Sequence, residues 1–175
     1  MTGDVHILAG PPGAGKTTVA DLLAVGAATP TVHLATDVFF RAIRAGYVLP
    51  YLPEAEQQNE VVIEAVVTAV TVYTRGGYDV VVEGIIGPWF LPAFRALPRT
   101  VSYVVLRPDL ETAVERAQER AGRELKDIDP ITGLYHAFTR LGDLEPHAID
   151  TTGLGPEQTA TEVRRLIAAG AHRLS

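Results

Sequence analysis

Val5-His6-Ile7-Leu8-Ala9-Gly10-Pro11-Pro12-Gly13-Ala14-Gly15-Lys16-Thr17-Thr18 decides how this chain of 175 residues folds. Residues 5–9 are apolar apart from His6, as in a buried strand. A turn of Gly and Pro follows, and Val19, Leu22 and Leu23 then recur at helical spacing. Between strand and helix, residues 10–17 match G-x-x-x-x-G-K-[ST] in full. Gly13 and Gly15 allow backbone angles and a close approach that a side chain would block. The loop amides and the helix N-terminus then aim partial positive charge at one point, which suits a polyphosphate. Gly10, Pro11, Pro12, Gly13, Ala14, Gly15, Lys16, Thr17 and Thr18 are therefore expected to hold ATP with Mg2+. Lys16 would reach the β- and γ-phosphates, Thr17 would ligate the metal, and Thr18 would touch the α-phosphate. The plain alternative, a turn that merely joins strand to helix, does not account for the complete motif.

Working outward, further apolar runs at residues 32–36, 79–83, 102–106 and 147–151 read as strands. The middle three of the five strands are rich in β-branched residues and nearly continuous in apolarity. Parallel strands covered on both faces have that character. Val62, Val66, Ala69 and Tyr73 form the stripe of a long helix ending at Gly76-Gly77. A competing strand reading of residues 61–72 fails on length and on the spaced polar positions Glu64, Thr68 and Thr71. Leu110, Ala113, Val114 and Ala117 mark another helix over residues 109–124, with Asp109 as its N-cap. A last helix starts near Pro156-Glu157. Strands alternating with helices predict a three-layer α/β fold around a parallel sheet with right-handed crossovers, in one domain spanning residues 1–175.

Composition narrows the function. Apolar residues make up 47% of the chain, and there is no cysteine. Disulfides, thiolate catalysis and Cys-based metal sites are excluded. No basic leader precedes a long apolar run, and residues 61–72 are too polar to span a bilayer, so a cytoplasmic location without a membrane partner is expected. The net charge of −6 favours a small-molecule substrate over nucleic acid, whose binding is driven by Lys and Arg. The five histidines show no metal-ligand spacing.

Two acids end strands on the side where ligands of open α/β sheets sit. Asp37 follows the second strand, where it could accept a proton from an acceptor hydroxyl or simply cap the next helix. Glu83 ends the third strand, a position from which a carboxylate helps organise Mg2+. Phe39, Phe40, Tyr47, Tyr51 and Trp89 are candidates to line an acceptor pocket, although aromatics are more often core.

Taken together, the phosphate loop, Asp37, the nearby Arg41 and the Arg-bearing helix at 109–124 resemble the P-loop kinases. The likeness is to the small kinases that include chloramphenicol phosphotransferase, zeta-toxin kinases and the kinase domain of polynucleotide kinase. The resemblance implies a sheet order of 2-3-1-4-5 and Asp37 as catalytic base, with Glu83 as its rival. It implies a substrate contact from Arg41, although the spacing from Asp37 is one residue longer than in polynucleotide kinases. It also implies that Arg120 and Arg123, with Arg116 third, clamp the transferring phosphoryl group. A bland reading of that helix is a solvated face with Glu119–Arg123 and Arg120–Glu124 pairs. Residues 125–133 read as a polar turn before a second amphipathic stretch at 134–141, giving a helical lid over 120–141. By the same resemblance, the turn Asp150-Thr151-Thr152-Gly153 packs near the adenine. The expected activity is ATP-dependent transfer of a phosphoryl group to a hydroxyl of an antibiotic or metabolite. The alternatives are a nucleoside, nucleotide or polynucleotide 5′-kinase, and a nucleotide switch with slow hydrolysis. A guanine-reading Asn-Lys-x-Asp is absent from the sequence.

Overall fold

A computed structural model of the chain describes residues 3–119 and 127–174. Its strands are β1 (Val5–Ala9), β2 (Thr31–Ala35), β3 (Asp79–Gly84), β4 (Val101–Leu106) and β5 (Ala148–Ile149). They form a parallel sheet in the order β2-β3-β1-β4-β5, the order implied by the resemblance. The helices are α1 (Lys16–Val25), α2 (Thr36–Ala42), α3 (Glu56–Arg75), α4 (Leu91–Arg95), α5 (Leu110–Glu119), α6 (Ile128–Ala137) and α7 (Pro156–Ala169). None of the described helices is long and apolar enough to cross a membrane.

Strand alternation divides the core into two layers. Val5, Ile7 and Ala9 of β1 pack with Ile63, Val66 and Val70 of α3 and with Phe94 of α4. Leu8 points the other way, into a cluster with Val19 and Leu23 of α1 and Ala160 and Val163 of α7. A sheet with helices on both faces follows from this period of two.

Several boundaries differ from the sequence reading. Thr36 is not the end of β2 but the first residue of α2. Its side chain packs against Gly84, where a Cβ would lie 2.0 Å from the Thr36 hydroxyl. β2 lies at the sheet edge, so its residues are half-buried rather than covered on both faces. β5 is only Ala148–Ile149, because a 3-10 helix over Gly142–His147 occupies its approach. The chain end completes the open edge of β4 instead: Tyr103 N donates to His172 O and Leu174 N donates to Val101 O, both at 2.8 Å.

The helical reading of residues 61–72 holds, and Val62 and Val66 are buried as expected, but the stripe continues through Val70 and Thr74 rather than Ala69 and Tyr73. Val62, Ile63, Val66, Val70 and Thr74 are buried, while Tyr73 is 39% exposed. The i,i+4 row through 66, 70 and 74 faces the sheet, and the Thr74 hydroxyl is satisfied by Val70 O at 2.9 Å. Asp109 caps α5 as expected, its Oδ1 accepting from Thr112 N at 2.8 Å; the Thr112 hydroxyl, and then its backbone N–H, hold the Asp109 carboxyl below the usual range. α6 begins within the residues read as a polar turn. Pro130 sits in its first turn, where the missing N–H is not needed.

Candidate nucleotide and acceptor site

Sheet register gathers the candidate groups. Leu8 and Ala35 both lie beside Glu83 in the ladders, so β1, β3 and β2 end together. The phosphate loop, the Glu83 carboxylate and the start of α2 therefore leave the sheet at the same edge, where α/β ligands bind.

The loop is tightly built. Gly13 has φ +79°, and a Cβ there would lie 1.9 Å from the Ala113 carbonyl of α5. Only glycine satisfies both the left-handed angle and that approach. Lys16 is buried, at 5% exposure, and its Nζ donates to Pro11 O at 2.9 Å. The ammonium is thus held over its own loop rather than extended into solvent.

Thr17 and Glu83, separated by 66 positions, meet directly: Thr17 Oγ1 donates to Glu83 Oε1 at 2.9 Å. Glu83 is 5% exposed. A hydroxyl and a buried carboxylate at the mouth of the loop are hard oxygen donors. Mg2+ is commonly held by one or two such groups together with phosphates and waters. The residues fit that ion. Among the described residues no group of three or more His, Asp or Glu side chains could hold a metal, so any ion here would draw its remaining ligands from nucleotide and water.

Beside the loop lies a cavity of about 280 Å³. Gly15 and Thr18 line one side, Arg116 of α5 a second, and Leu154, Gly155 and Pro156 at the start of α7 a third. Arg116 Nη2 makes a long contact of 3.5 Å to Leu154 O. The expected adenine turn, residues 150–153, stops just short of this wall.

Asp37 is the second residue of α2, not its cap; Ala35 holds that position without a side-chain bond. Its carboxylate lies 3.8 Å from Arg41 Nη2, one turn on, and both side chains are about two-thirds exposed. The Tyr47 phenol is raised above its ordinary value, first by burial and then by the Asp37 charge, which sets Tyr47 near this acid. Phe40 is half-buried on the same helix. Trp89, 50% exposed, pairs with Phe90 and with Phe138 at ring distances of 6.0 and 6.2 Å. Arg120 and Arg123 lie outside the described residues, as does the first part of the expected lid.

The sequence reading missed Arg107, which follows β4 and bonds the Phe138 carbonyl and Glu145. A charged residue just past a strand's C-terminal end was the available signal. It also read Pro156 only as part of a helix start and gave Gly155 no role, although both residues wall the cavity.

Comparison with known proteins agrees with this geometry. The family model for chloramphenicol phosphotransferase-like protein matches residues 3–168. No curated protein matches the chain. Among solved structures, the tunicamycin resistance protein of Deinococcus radiodurans superposes with a TM-score of 0.71 at 17% identity, covering 99% of each chain. A sugar kinase from Janibacter sp. HTCC2649 gives 0.69 at 18% identity, covering 97% of this chain and 95% of that one. Shikimate kinase from Acinetobacter baumannii, in complex with shikimate, gives 0.67 at 20%, with the same coverage of 97% and 95%. At such identities the likeness is one of fold.

Proposed function

The chain belongs to the chloramphenicol phosphotransferase-like protein family, and on that premise we propose that it transfers the γ-phosphoryl group of ATP to a hydroxyl of a small molecule, an antibiotic or a metabolite alcohol. It is an ATP-dependent kinase. The observation that carries the reading is the Thr17–Glu83 hydrogen bond of 2.9 Å beside the buried Lys16. It brings together two oxygen donors suited to a magnesium nucleotide, next in the chain to the ammonium that a transferring phosphoryl group needs.

In this scheme Lys16 and the loop amides stabilise the charge on the phosphate oxygens. Thr17 and Glu83 would hold Mg2+, which, when bound, neutralises phosphate charge. The base of α5 with Arg116 and the 154–156 turn would receive the nucleoside. Asp37 accepts the acceptor's proton as the new oxygen–phosphorus bond forms and the bond to ADP breaks. Arg41, paired with Asp37 at 3.8 Å, orients that carboxylate and contacts substrate. Phe40 and Trp89 flank the acceptor. Arg120 and Arg123 close over the transferring group from a lid over 120–141, of which α6 is the returning arm, and the whole forms one kinase domain. Closure would exclude water and suppress wasteful hydrolysis.

The test is a screen with γ-labelled ATP against antibiotics, sugars and metabolite alcohols, scored for phosphorylated product. A kinase consumes little ATP until an acceptor is added. Equal consumption with and without every acceptor would instead favour a hydrolysing switch.

A further inference from the structure

Arg107 has no part in the scheme above, yet it ties together elements that the scheme depends on. It directly follows β4, and its side chain is 24% exposed. Its backbone N–H donates to Ile149 O at 3.0 Å, continuing the ladder to β5. One arm of the guanidinium donates to the Phe138 carbonyl at 2.9 Å, and the other pairs with Glu145. The Glu145 hydrogen bond raises Arg107 above its ordinary value and holds the Glu145 carboxyl below its own.

The Phe138 carbonyl belongs to the C-cap of α6. Carbonyls at a helix end lack intrahelical partners, and a cation placed there also meets the negative end of the helix dipole. A second bond supports the same turn: Tyr135 OH donates to Pro108 O at 3.0 Å. The last turn of α6 is thereby fastened to residues 107–108 at two points. Arginine suits this position because its planar fork serves a carbonyl and a carboxylate at once; lysine has one nitrogen for both.

What the fastening holds in place is an aromatic contact. The Phe138 ring is fully buried and lies 6.2 Å from the Trp89 indole, tilted by 57°. Trp89 stands on the segment that leaves β3 just after Glu83, and its indole lies over Gly87, where a Cβ would meet the ring at 2.2 Å. Below it, Tyr103 OH donates to Ile86 O at 2.9 Å, so the root of the segment is fixed from β4 as well. The indole is left half exposed on a stiff base, with Phe138 on one flank.

We propose that Arg107 is a positioning residue for the acceptor side of the site. By holding the Phe138 carbonyl it seats the Phe138 ring, and the ring sets the indole of Trp89 relative to Glu83 and Lys16. The proposal rests on the reading that Trp89 flanks the acceptor. A misplacement of order 1 Å in a positioning group costs up to ~10²-fold in rate, so a side chain that never touches substrate still controls acceptor use.

Trp89 is the only tryptophan, so its fluorescence reports the indole without labelling. The experiment compares wild type, Arg107→Met, Arg107→Lys and Glu145→Gln, each confirmed folded by circular dichroism. The readouts are acrylamide quenching of Trp89, affinity for Mg-ATP, and KM and kcat for a hydroxyl acceptor found in the labelled-ATP screen. Arg107→Met should raise the quenching constant about twofold and acceptor KM about 10-fold, with Mg-ATP affinity changed less than about twofold. Arg107→Lys, which also lacks the fork, should fall between Met and wild type. Should Met fail to fold, the lysine variant carries the test alone. Glu145→Gln leaves the Phe138 bond in place and should quench like wild type. Unchanged Trp89 quenching in both arginine variants would overturn the proposal. So would a quenching change in Glu145→Gln as large as in Arg107→Met, since the ion pair would then be the cause. A separate variant, Trp89→Ala, tests the acceptor reading: wild-type acceptor KM there would sink that reading, while the quenching result would still decide whether Arg107 sets the indole.

Discussion

The phosphate loop and α2 leave β1 and β2, the two strands that flank β3, at one edge of the sheet, and they are built in opposite ways. In the loop, Lys16 is 5% exposed and bonded to Pro11 O, and Gly13 leaves no room for a Cβ. On α2, Asp37 and Arg41 are about two-thirds exposed and Val38 is 65% exposed. In the proposed function the loop receives a ligand part that does not vary, a triphosphate, so it can be fixed by backbone geometry in advance. In that same proposal the α2 face meets the acceptor, and an exposed pair on a short helix can be re-shaped by few substitutions without disturbing the core. A kinase fold with one rigid and one adaptable wall is suited to changing acceptors while keeping its donor.

The contrast can be broken at its rigid end first. Lys16→Ala should lower phosphoryl transfer by about 10³-fold and weaken Mg-ATP binding in calorimetry, because a buried ammonium aimed at developing charge is removed. Retained tight ATP binding would count against the loop assignment. At the adaptable end, Asp37→Asn should lower kcat by about 10²-fold and leave ATP affinity near wild type. Turnover close to wild type would shift the role of base to Glu83 or to the substrate itself. The two variants together test whether donor and acceptor functions are separable, as the burial difference implies.

Glu83→Gln sits on the seam between the two regions. It keeps a hydrogen-bond acceptor for Thr17 but removes the charge, and should raise the Mg2+ concentration for half-maximal activity by about 10-fold. An unchanged metal requirement would remove Glu83 from that role.

The smallest effect concerns stability away from the site. Burial lowers His6 and His172 below the ordinary imidazole value of 6.5. At a pH between the folded and unfolded values, the unfolded chain binds more protons than the folded one. Stability from keeping these rings neutral is therefore fully present above pH 6.5 and declines as pH falls below it. The Asp109 and Glu145 carboxyls, held low by their hydrogen bonds, lose their contributions only under more acidic conditions. Urea midpoints should fall between pH 7.5 and 5.5, and His172→Leu should flatten that slope. A slope unaffected by the substitution would exclude His172 as its source.

Legibility in the sequence followed the same division. The loop was readable because its chemistry is contiguous: phosphate binding needs glycines, a lysine and a hydroxyl at fixed spacing along one turn. The N-cap of α5 was readable for the same local reason. The stripe of α3 was read correctly at Val62 and Val66 and missed at its second half, because whether Val70 and Thr74 or Ala69 and Tyr73 are covered depends on the sheet beneath the helix. β5 was read too long, because whether its approach pairs or coils depends on Pro146 and on a chain end that returns to cover β4.

By itself the sequence determined a complete phosphate-loop motif between strand and helix, an alternating α/β chain, an acid ending the third strand and another just past the second, since period and local spacing are properties of the chain alone. Only the tertiary structure decided that Thr17 and Glu83 touch across 66 positions, that Asp37 stands exposed beside Arg41, and that Arg107 bonds the carbonyl of Phe138, whose ring lies beside Trp89. Those are contacts between distant segments, and they exist only once strand order and packing have brought the segments together.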